Sequence, residues 1–144
     1  MKVLIDTNII LDVIFKRSPF EKDSYKVLKY AEEGLIEGYI VSFVVTDLYY
    51  FIAKDLGHDI AAKAIKSLLN VVKLVGITKK EIERAMENST INDLEDALQI
   101  KCAKKIKADF IVTHDNKLKK LIMEAISPSE FVERLQKTDL KDFL

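Results

Sequence analysis

Short β-branched runs alternate with amphipathic segments along this chain. The first run, Val3 to Ile5, has the apolar continuity of a buried strand and ends at Asp6. Apolar residues then recur at three- and four-residue spacing, which predicts a helix that runs to about Phe15 and stops before Pro19. Further strands are predicted at 38–41, 71–75 and 109–113, with a short final strand at 124–126.

Amphipathic helices are predicted between these strands. One helix is centred on residues 25–31 and closes at Gly34, a second covers 60–69, and a short one covers 117–121. Strands that alternate with helices in a short chain favour right-handed crossovers around a covered parallel sheet. We therefore expect an α/β fold, a three-layer α/β/α sandwich with four to five central strands.

Capping residues mark the starts of the other helices. Ser42 is predicted to cap the helix after the second strand. Thr78–Glu81 and Ser127–Glu130 have capping-box spacing, and Asn92–Glu95 offers another capped start after a polar break at 88–90. These starts leave no room for a linker, so residues 1–144 are predicted to form a single domain.

Composition narrows the class of protein. Lysine and arginine together number 23, and aspartate and glutamate together also number 23, so the formal net charge is zero. No overall positive field attracts nucleic acid, and any polyanion must bind a local patch. The longest apolar run, 39–45, is too short to span a membrane. Asp6 comes too early in the chain for the apolar core of a secretory signal peptide to precede it, so no signal peptide is expected. Cys102 is interpreted as a small buried hydrophobe. We expect a cytoplasmic protein with no membrane association.

Several acids fall at equivalent places in this scheme. Asp6 follows the first strand, Asp47 lies shortly after the second, and Asp115 follows the fourth. Asp93 and Asp96 share one face at the start of a helix. Each alone fits a helix cap. Capping, at about 0.3–1 kcal/mol, is too weak to gather several carboxylates that repel one another, so their convergence predicts a bound cation.

The donor set favours Mg²⁺ or Mn²⁺ over Zn²⁺. Carboxylates with Asn8 and Thr113 form an all-oxygen site, whereas His58 and His114 are predicted to be solvated loop residues. The sequence offers neither a serine or cysteine nucleophile constellation nor a glycine-rich phosphate loop, so attack by a metal-activated water is the expected chemistry. Lys117 could contact phosphates, or lie on an ordinary solvated helix face.

Six stretches, taken together and in order, resemble the motifs of PIN-domain proteins over essentially the whole chain. They are Asp6–Val13, Arg17–Phe20, Leu48–Tyr50, Asp93–Gln99, Ile111–Asp115 and Ser127–Phe131. The resemblance is greatest to small stand-alone prokaryotic PIN proteins, the group that includes VapC-type toxins. It implies a strand order of 3-2-1-4-5 and an Mg²⁺- or Mn²⁺-dependent nuclease acting on single-stranded RNA.

The resemblance also assigns roles to individual residues. Asp6, Asp96 and Asp115 take the catalytic positions and hold the metal with Asp93, while Asn8, Thr113 and Asn116 support them. The family's second acid is usually a glutamate followed by leucine. Asp47-Leu48 stands there instead, so whether Asp47 is a ligand is left open. Arg17 and Lys117 are the candidate substrate contacts.

We therefore expect an endoribonuclease, with the toxin of a toxin–antitoxin pair as its candidate role. The expected partners are a second copy of the chain, in a homodimer, and a small antitoxin. Tyr49, Tyr50 and Phe51 are candidates for a dimer face, although core packing is an equal alternative for two of them. A PIN module that binds RNA or protein without cutting is the second hypothesis. A phosphotransfer receiver would need an aspartate where Val75-Gly76 ends the third strand, and a haloacid-dehalogenase-like phosphatase would need a second acid in Asp6-Thr7-Asn8.

Overall fold

Five strands and eight helices are present in the described residues, 1–87 and 93–143, of the computed structural model, and side chains are described through residue 138. In chain order they are β1 (Lys2–Ile5), α1 (Thr7–Ile14), α2 (Glu21–Glu32), β2 (Glu37–Val41), α3 (Val44–Leu56), α4 (His58–Val71), β3 (Lys73–Val75), α5 (Lys79–Glu87), α6 (Leu94–Lys105), β4 (Phe110–Val112), α7 (Asn116–Leu121), β5 (Ala125–Ile126) and α8 (Pro128–Phe143).

All five strands join one parallel sheet in the order β3-β2-β1-β4-β5. β1 is central: Leu4 pairs with Tyr39 on one side and with Ile111 on the other. Helices flank the sheet, so the predicted fold class and strand order are both confirmed. Because the strands are parallel, their carboxyl ends lie at one edge, where ligands bind in open α/β sheets.

The central strands are buried on both faces. Val3, Leu4 and Ile5 expose 2% or less of their surface, as expected for strands covered by helices on each side. Gly38 in β2 lets α2 approach closely, since a Cβ there would lie 3.1 Å from the Ala31 Cβ and 3.2 Å from the Ile5 Cδ1. Burial of Cys102 raises the pKa of its thiol to about 11, which confirms its interpretation as a buried hydrophobe.

Most predicted element boundaries lie within a few residues of those observed, and one predicted cap is wrong. Phe43, not Ser42, precedes α3, and it makes no side-chain cap. Thr78 and Glu81 form the predicted box, with each backbone N–H donating to the other's side chain at 3.0 and 3.3 Å. The Ser127 Oγ likewise accepts from the Glu130 N–H at 3.2 Å. The polar break at 88–90 and the start at Asn92 lie outside the described residues.

The helices also bear on membrane association. None in the described part of the chain combines the length and apolar character needed to cross a bilayer.

Candidate active site at the carboxyl edge of the sheet

Asp6 occupies the centre of this edge, where β1 passes directly into α1. Its backbone is extended and caps α1, with the Thr7 N–H donating to the Asp6 Oδ1 at 2.7 Å. The Gln99 Nε2 donates to the same oxygen at 3.2 Å, and the Thr113 Oγ1 donates to the Oδ2 at 2.7 Å. Asp6 is 7% exposed. Donors on both oxygens hold this buried carboxylate in one orientation, as an acceptor-only group.

Thr113 connects Asp6 to Asp115 at the end of β4. The threonine is fully buried, and its Oγ1 accepts from the Asp115 backbone N–H at 2.9 Å while donating to Asp6. Asp115 then caps α7 by accepting from the Lys117 N–H at 2.8 Å. A single hydroxyl therefore sets the relative position of two of the predicted catalytic acids.

Asp96 is brought to the same edge by the first turn of α6. Asp93 caps this helix, and its Oδ1 accepts from the Asp96 N–H at 3.1 Å. Asp96 is 5% exposed. Burial, followed by the negative charges of Asp93, Asp115 and Asp6, raises the pKa of its carboxyl, and Lys117 opposes this rise. The Asp96 carboxyl thus lies close enough to Asp93, Asp115 and Asp6 to experience their negative charges.

Glu95 belongs to this acidic group and was missed by the sequence reasoning. Burial raises the pKa of its carboxyl, and the charges of Asp6, Asp93, Asp47 and Asp96 raise it further. The available signal is its position in the turn that carries Asp93 and Asp96, but the capping pattern assigns Glu95 only to the helix start, and the shared face is predicted for Asp93 and Asp96 alone. The interaction with Glu95 also places Asp47, an exposed residue in the first turn of α3, on the border of the site.

The sequence comparison decides the family. The PIN-domain family profile matches residues 2–117. The chain belongs to the PIN-domain family. It is 28% identical over 137 residues to Ribonuclease VapC1 of Aquifex aeolicus strain VF5, and the match covers 92% of this chain and 94% of that protein.

Two solved structures share the PIN-domain architecture. VapC20 of Mycobacterium tuberculosis, a toxin that cleaves the sarcin–ricin loop, superposes with a TM-score of 0.66 at 14% identity, over 83% of this chain and 94% of that one. VapBC2 of Rickettsia felis, bound to a DNA fragment from its promoter, gives a TM-score of 0.63 at 21% identity, over 83% and 92% of the two chains. At such identities the likeness shows the fold alone.

The residues predicted to support the acids of this PIN domain lie in different settings. Asn8 and Asn116 are exposed on α1 and α7, while Gln99, which the sequence reasoning also missed, is the side-chain amide that reaches Asp6. Gln99 lies one turn after Asp96, and this spacing was the available signal. The Lys117 Nζ lies 3.7 Å from the Asp93 Oδ2 with 73% of its side chain exposed, so it can move to a ligand.

The prediction that His114 is a solvated loop residue is wrong. Its Nε2 lies 2.6 Å from the Oδ2 of Asp12, a carboxylate that is 2% exposed. Asp12 also accepts from the Ser24 Oγ at 2.9 Å and lies 3.9 Å from the Arg17 guanidinium. His58 is exposed as predicted, although it is the first residue of α4 and contacts the Tyr49 hydroxyl.

These residues fit a hard divalent cation. Burial and the negative charges of neighbouring acids raise the pKa of both Asp96 and Glu95, and a cation would offset the charge repulsion. The buried Gln99 Oε1 also lacks a hydrogen-bond partner within the described residues. Among the side chains that the structure describes, in 1–87 and 93–138, no three acidic, histidine or cysteine side chains form a ready-made cluster. Mg²⁺ tolerates this, because it commonly binds through one or two carboxylates and keeps several waters.

Proposed function

We propose that this PIN domain is an Mg²⁺- or Mn²⁺-dependent endoribonuclease that cleaves single-stranded RNA. The observation that carries the proposal is the convergence of Asp6, Asp96 and Asp115 at the carboxyl edge of the sheet. The Thr113 hydroxyl joins Asp6 to the Asp115 backbone, and the charges of both acids act on Asp96. The relative named Ribonuclease VapC1, similar over nearly its full length, supports RNA as the substrate.

The proposed roles of the acids differ because their surroundings differ. Asp6, fixed by its donors, would anchor the cation, and Asp96 and Asp115 would complete the protein ligands with Asp93 beside them. When bound, the cation lowers the pKa of a water and neutralises the phosphate. Glu95, whose pKa is raised, retains a proton more readily than an ordinary glutamate and is placed to exchange one at this edge.

Cationic side chains at the rim would orient the RNA backbone. Lys117 already lies against Asp93, and its long exposed side chain can turn to a phosphate. Arg17 is 44% exposed and lies 3.9 Å from the buried Asp12, so its guanidinium is held near the site without being enclosed. The proposed contacts of Lys117 and Arg17 with RNA are local, as expected for a chain whose formal net charge is zero.

We further propose a toxin role, with a small antitoxin and a second copy of the chain as partners. The VapBC2 complex supports the antitoxin, and the exposed face of α3 supports the dimer. Tyr49, Tyr50 and Phe51 are 37%, 59% and 46% exposed, so the alternative of core packing for two of them is wrong. Adjacent exposed aromatic side chains are enriched where proteins associate.

Cleavage of a labelled single-stranded RNA tests the enzyme. Asp6→Asn and Asp96→Asn are expected to abolish Mg²⁺-dependent cleavage, because each removes a charged ligand while keeping the shape of the side chain. Asp55→Asn is the matched control, since Asp55 is exposed near the far end of α3. Cleavage that survives in Asp96→Asn, or that persists in chelator, would contradict the proposal.

The second candidate is a PIN module that binds RNA or a partner protein without cutting. It is favoured by the lack of a ready-made three-ligand cluster in the described part of the chain and by the exposed Asp47. Calorimetry with Mn²⁺ separates the two functions. Binding at millimolar concentration that is lost in Asp96→Asn supports the enzyme, and no detectable binding supports the module.

A further inference from the structure

A cavity of about 290 Å³ lies next to the acidic site, between the ends of β4 and β5 and the start of α2. Its walls include Phe20, Asp23, His114, Ser127 and Ser129. The volume is just below the range of about 300–1,000 Å³ found for small-molecule sites, so it suits a single ring system. His114 precedes Asp115, and consecutive Cα atoms are about 3.8 Å apart, so the cavity borders the catalytic edge.

One wall of this cavity is an aromatic platform that the core holds in place. The Phe20 and His114 ring centroids are 4.4 Å apart with the planes tilted by 51°, and Phe20 is 46% exposed. The buried Asp12 fixes the histidine through a 2.6 Å contact with its Nε2, and Asp12 is itself bonded to Ser24. The two rings are too close to admit a third between them, so a ligand would stack on their open side.

Beside Pro19 and Pro128, the cavity is also lined by polar side chains that can accept hydrogen bonds. The Asp23 carboxylate makes no hydrogen bond or ion pair with the rest of the described chain. The Ser127 and Ser129 hydroxyls lie 3.1 Å apart, and either can donate or accept. A flat aromatic wall beside an unpaired carboxylate matches a nucleobase that carries adjacent N–H donors along its edge. Guanine presents such a pair, N1–H and N2–H, whereas uracil presents a single N–H between two carbonyls.

We propose that this cavity binds a guanine base of the RNA, one nucleotide from the phosphodiester held at the acidic edge. The proposal rests on the proposed ribonuclease function. Stacking on Phe20 supplies affinity, and stacking is tolerant of base identity. Asp23 supplies the choice of base, because a carboxylate rejects the carbonyl edge of uracil and accepts the donor edge of guanine.

Binding is tested in the Asp96→Asn background, so that RNA is not consumed. Two short single-stranded RNAs that differ by one G or U are titrated in chelator, by fluorescence anisotropy and by amide NMR. We expect tighter binding of the G-containing RNA and NMR shifts at residues around the cavity. Adding Phe20→Ala should weaken its binding about 5- to 160-fold. Phe20→Tyr keeps the ring and should bind normally.

Matched controls guard against misfolding. Tyr25→Ala removes another half-exposed aromatic side chain from α2 and lies on a different groove, so it should leave binding unchanged. Asp23→Asn should abolish the preference for G over U without weakening binding of the U-containing RNA. Equal effects of Phe20→Ala and Tyr25→Ala, or a G preference that survives in Asp23→Asn, would overturn the assignment.

The outcomes also separate this proposal from the function on which it rests. If the wild-type protein cuts RNA but Phe20→Ala and Asp23→Asn leave its cleavage sites and its RNA affinity unaltered, the base pocket is wrong and the ribonuclease stands. If the cavity binds the G-containing RNA but no RNA is cut with Mg²⁺ or Mn²⁺, the ribonuclease is wrong and the chain binds RNA only. NMR shifts confined to other surfaces would refute the assignment of this cavity as a base-binding site. The cavity would then remain available to a peptide partner.

Discussion

Replacing Thr113 by valine tests whether one hydroxyl joins Asp6 at the end of β1 to Asp115 after β4. The change keeps the shape of a fully buried side chain and removes only its polar atom. That atom donates to the Asp6 Oδ2 at 2.7 Å and accepts from the Asp115 N–H at 2.9 Å. Both groups therefore lose a partner at once.

The expected loss of stability follows from these two contacts. A buried polar group left unsatisfied costs about 1–3 kcal/mol, so two such groups cost about 2–6 kcal/mol. The additional buried methyl group of valine returns about 0.8 kcal/mol. Asp115 is only half-buried, so water compensates part of the loss at its N–H. We expect the free energy of unfolding to fall by about 2–4 kcal/mol.

Urea denaturation at pH 7 measures this loss, with Thr113→Ser as the control. Serine keeps the hydroxyl and loses one buried methyl group, so it should cost about 1 kcal/mol. Thr113→Val should also lower RNA cleavage by about 10²-fold or more, because small displacements of reacting groups have effects of that size. In an Asp6→Asn background the valine should cost less, since its partner no longer carries a charge.

Two results would refute this reasoning. If Thr113→Val lies within about 0.5 kcal/mol of the wild type, the hydroxyl is not a buried bridge. If valine and serine reduce stability equally, the methyl group and not the hydrogen bonds matters at this position.

Two further predictions concern α6. In chelator at pH 7, Asp96→Asn should raise the urea midpoint. Burial and neighbouring charges raise the pKa of the Asp96 carboxyl above 3.8, so the folded state binds more protons than the unfolded state. The stability of the wild type therefore falls as the pH rises through the folded-state pKa. Denaturation across the acid range checks this, and an unchanged midpoint and slope would contradict it. Lys107 has a φ of 56° just after α6, so Lys107→Gly should raise stability by up to about 1 kcal/mol in thermal melts, and Lys107→Ala, which keeps the strain, should not.

Local patterns predicted the elements, and the family resemblance predicted their order. Apolar spacing located β1, α1 and β4, and the turn containing Asp93 was located by its capping spacing. Strand order depends on pairing between distant segments, such as Leu4 with Ile111, which periodicity does not encode. The resemblance supplied that order because it compares whole chains.

What the sequence reasoning missed in the site consists mainly of contacts across long separations. Gln99 reaches Asp6 over 93 positions and His114 reaches Asp12 over 102. Both partners were visible in the sequence, but a lone amide and a loop histidine have no local signature for such pairing. Glu95 differs, because the rise in the pKa of its carboxyl depends on burial and on the charges of nearby acids. An argument from shared helix faces takes neither into account.

The contrast between Asp6 and Asp96 bears most directly on catalysis. Asp6 receives hydrogen bonds on both oxygens, whereas within the described residues no donor reaches the Asp96 carboxylate, and its pKa is raised. Asp6→Asn should therefore destabilise the fold, and Asp96→Asn should stabilise it, although we expect both to abolish cleavage. A cation should in turn raise the melting temperature of the wild type more than that of Asp96→Asn, because the variant lacks one of the carboxylates whose repulsion the cation relieves. Equal stability changes in the two variants would mean that the acids share one environment and that this division of roles is wrong.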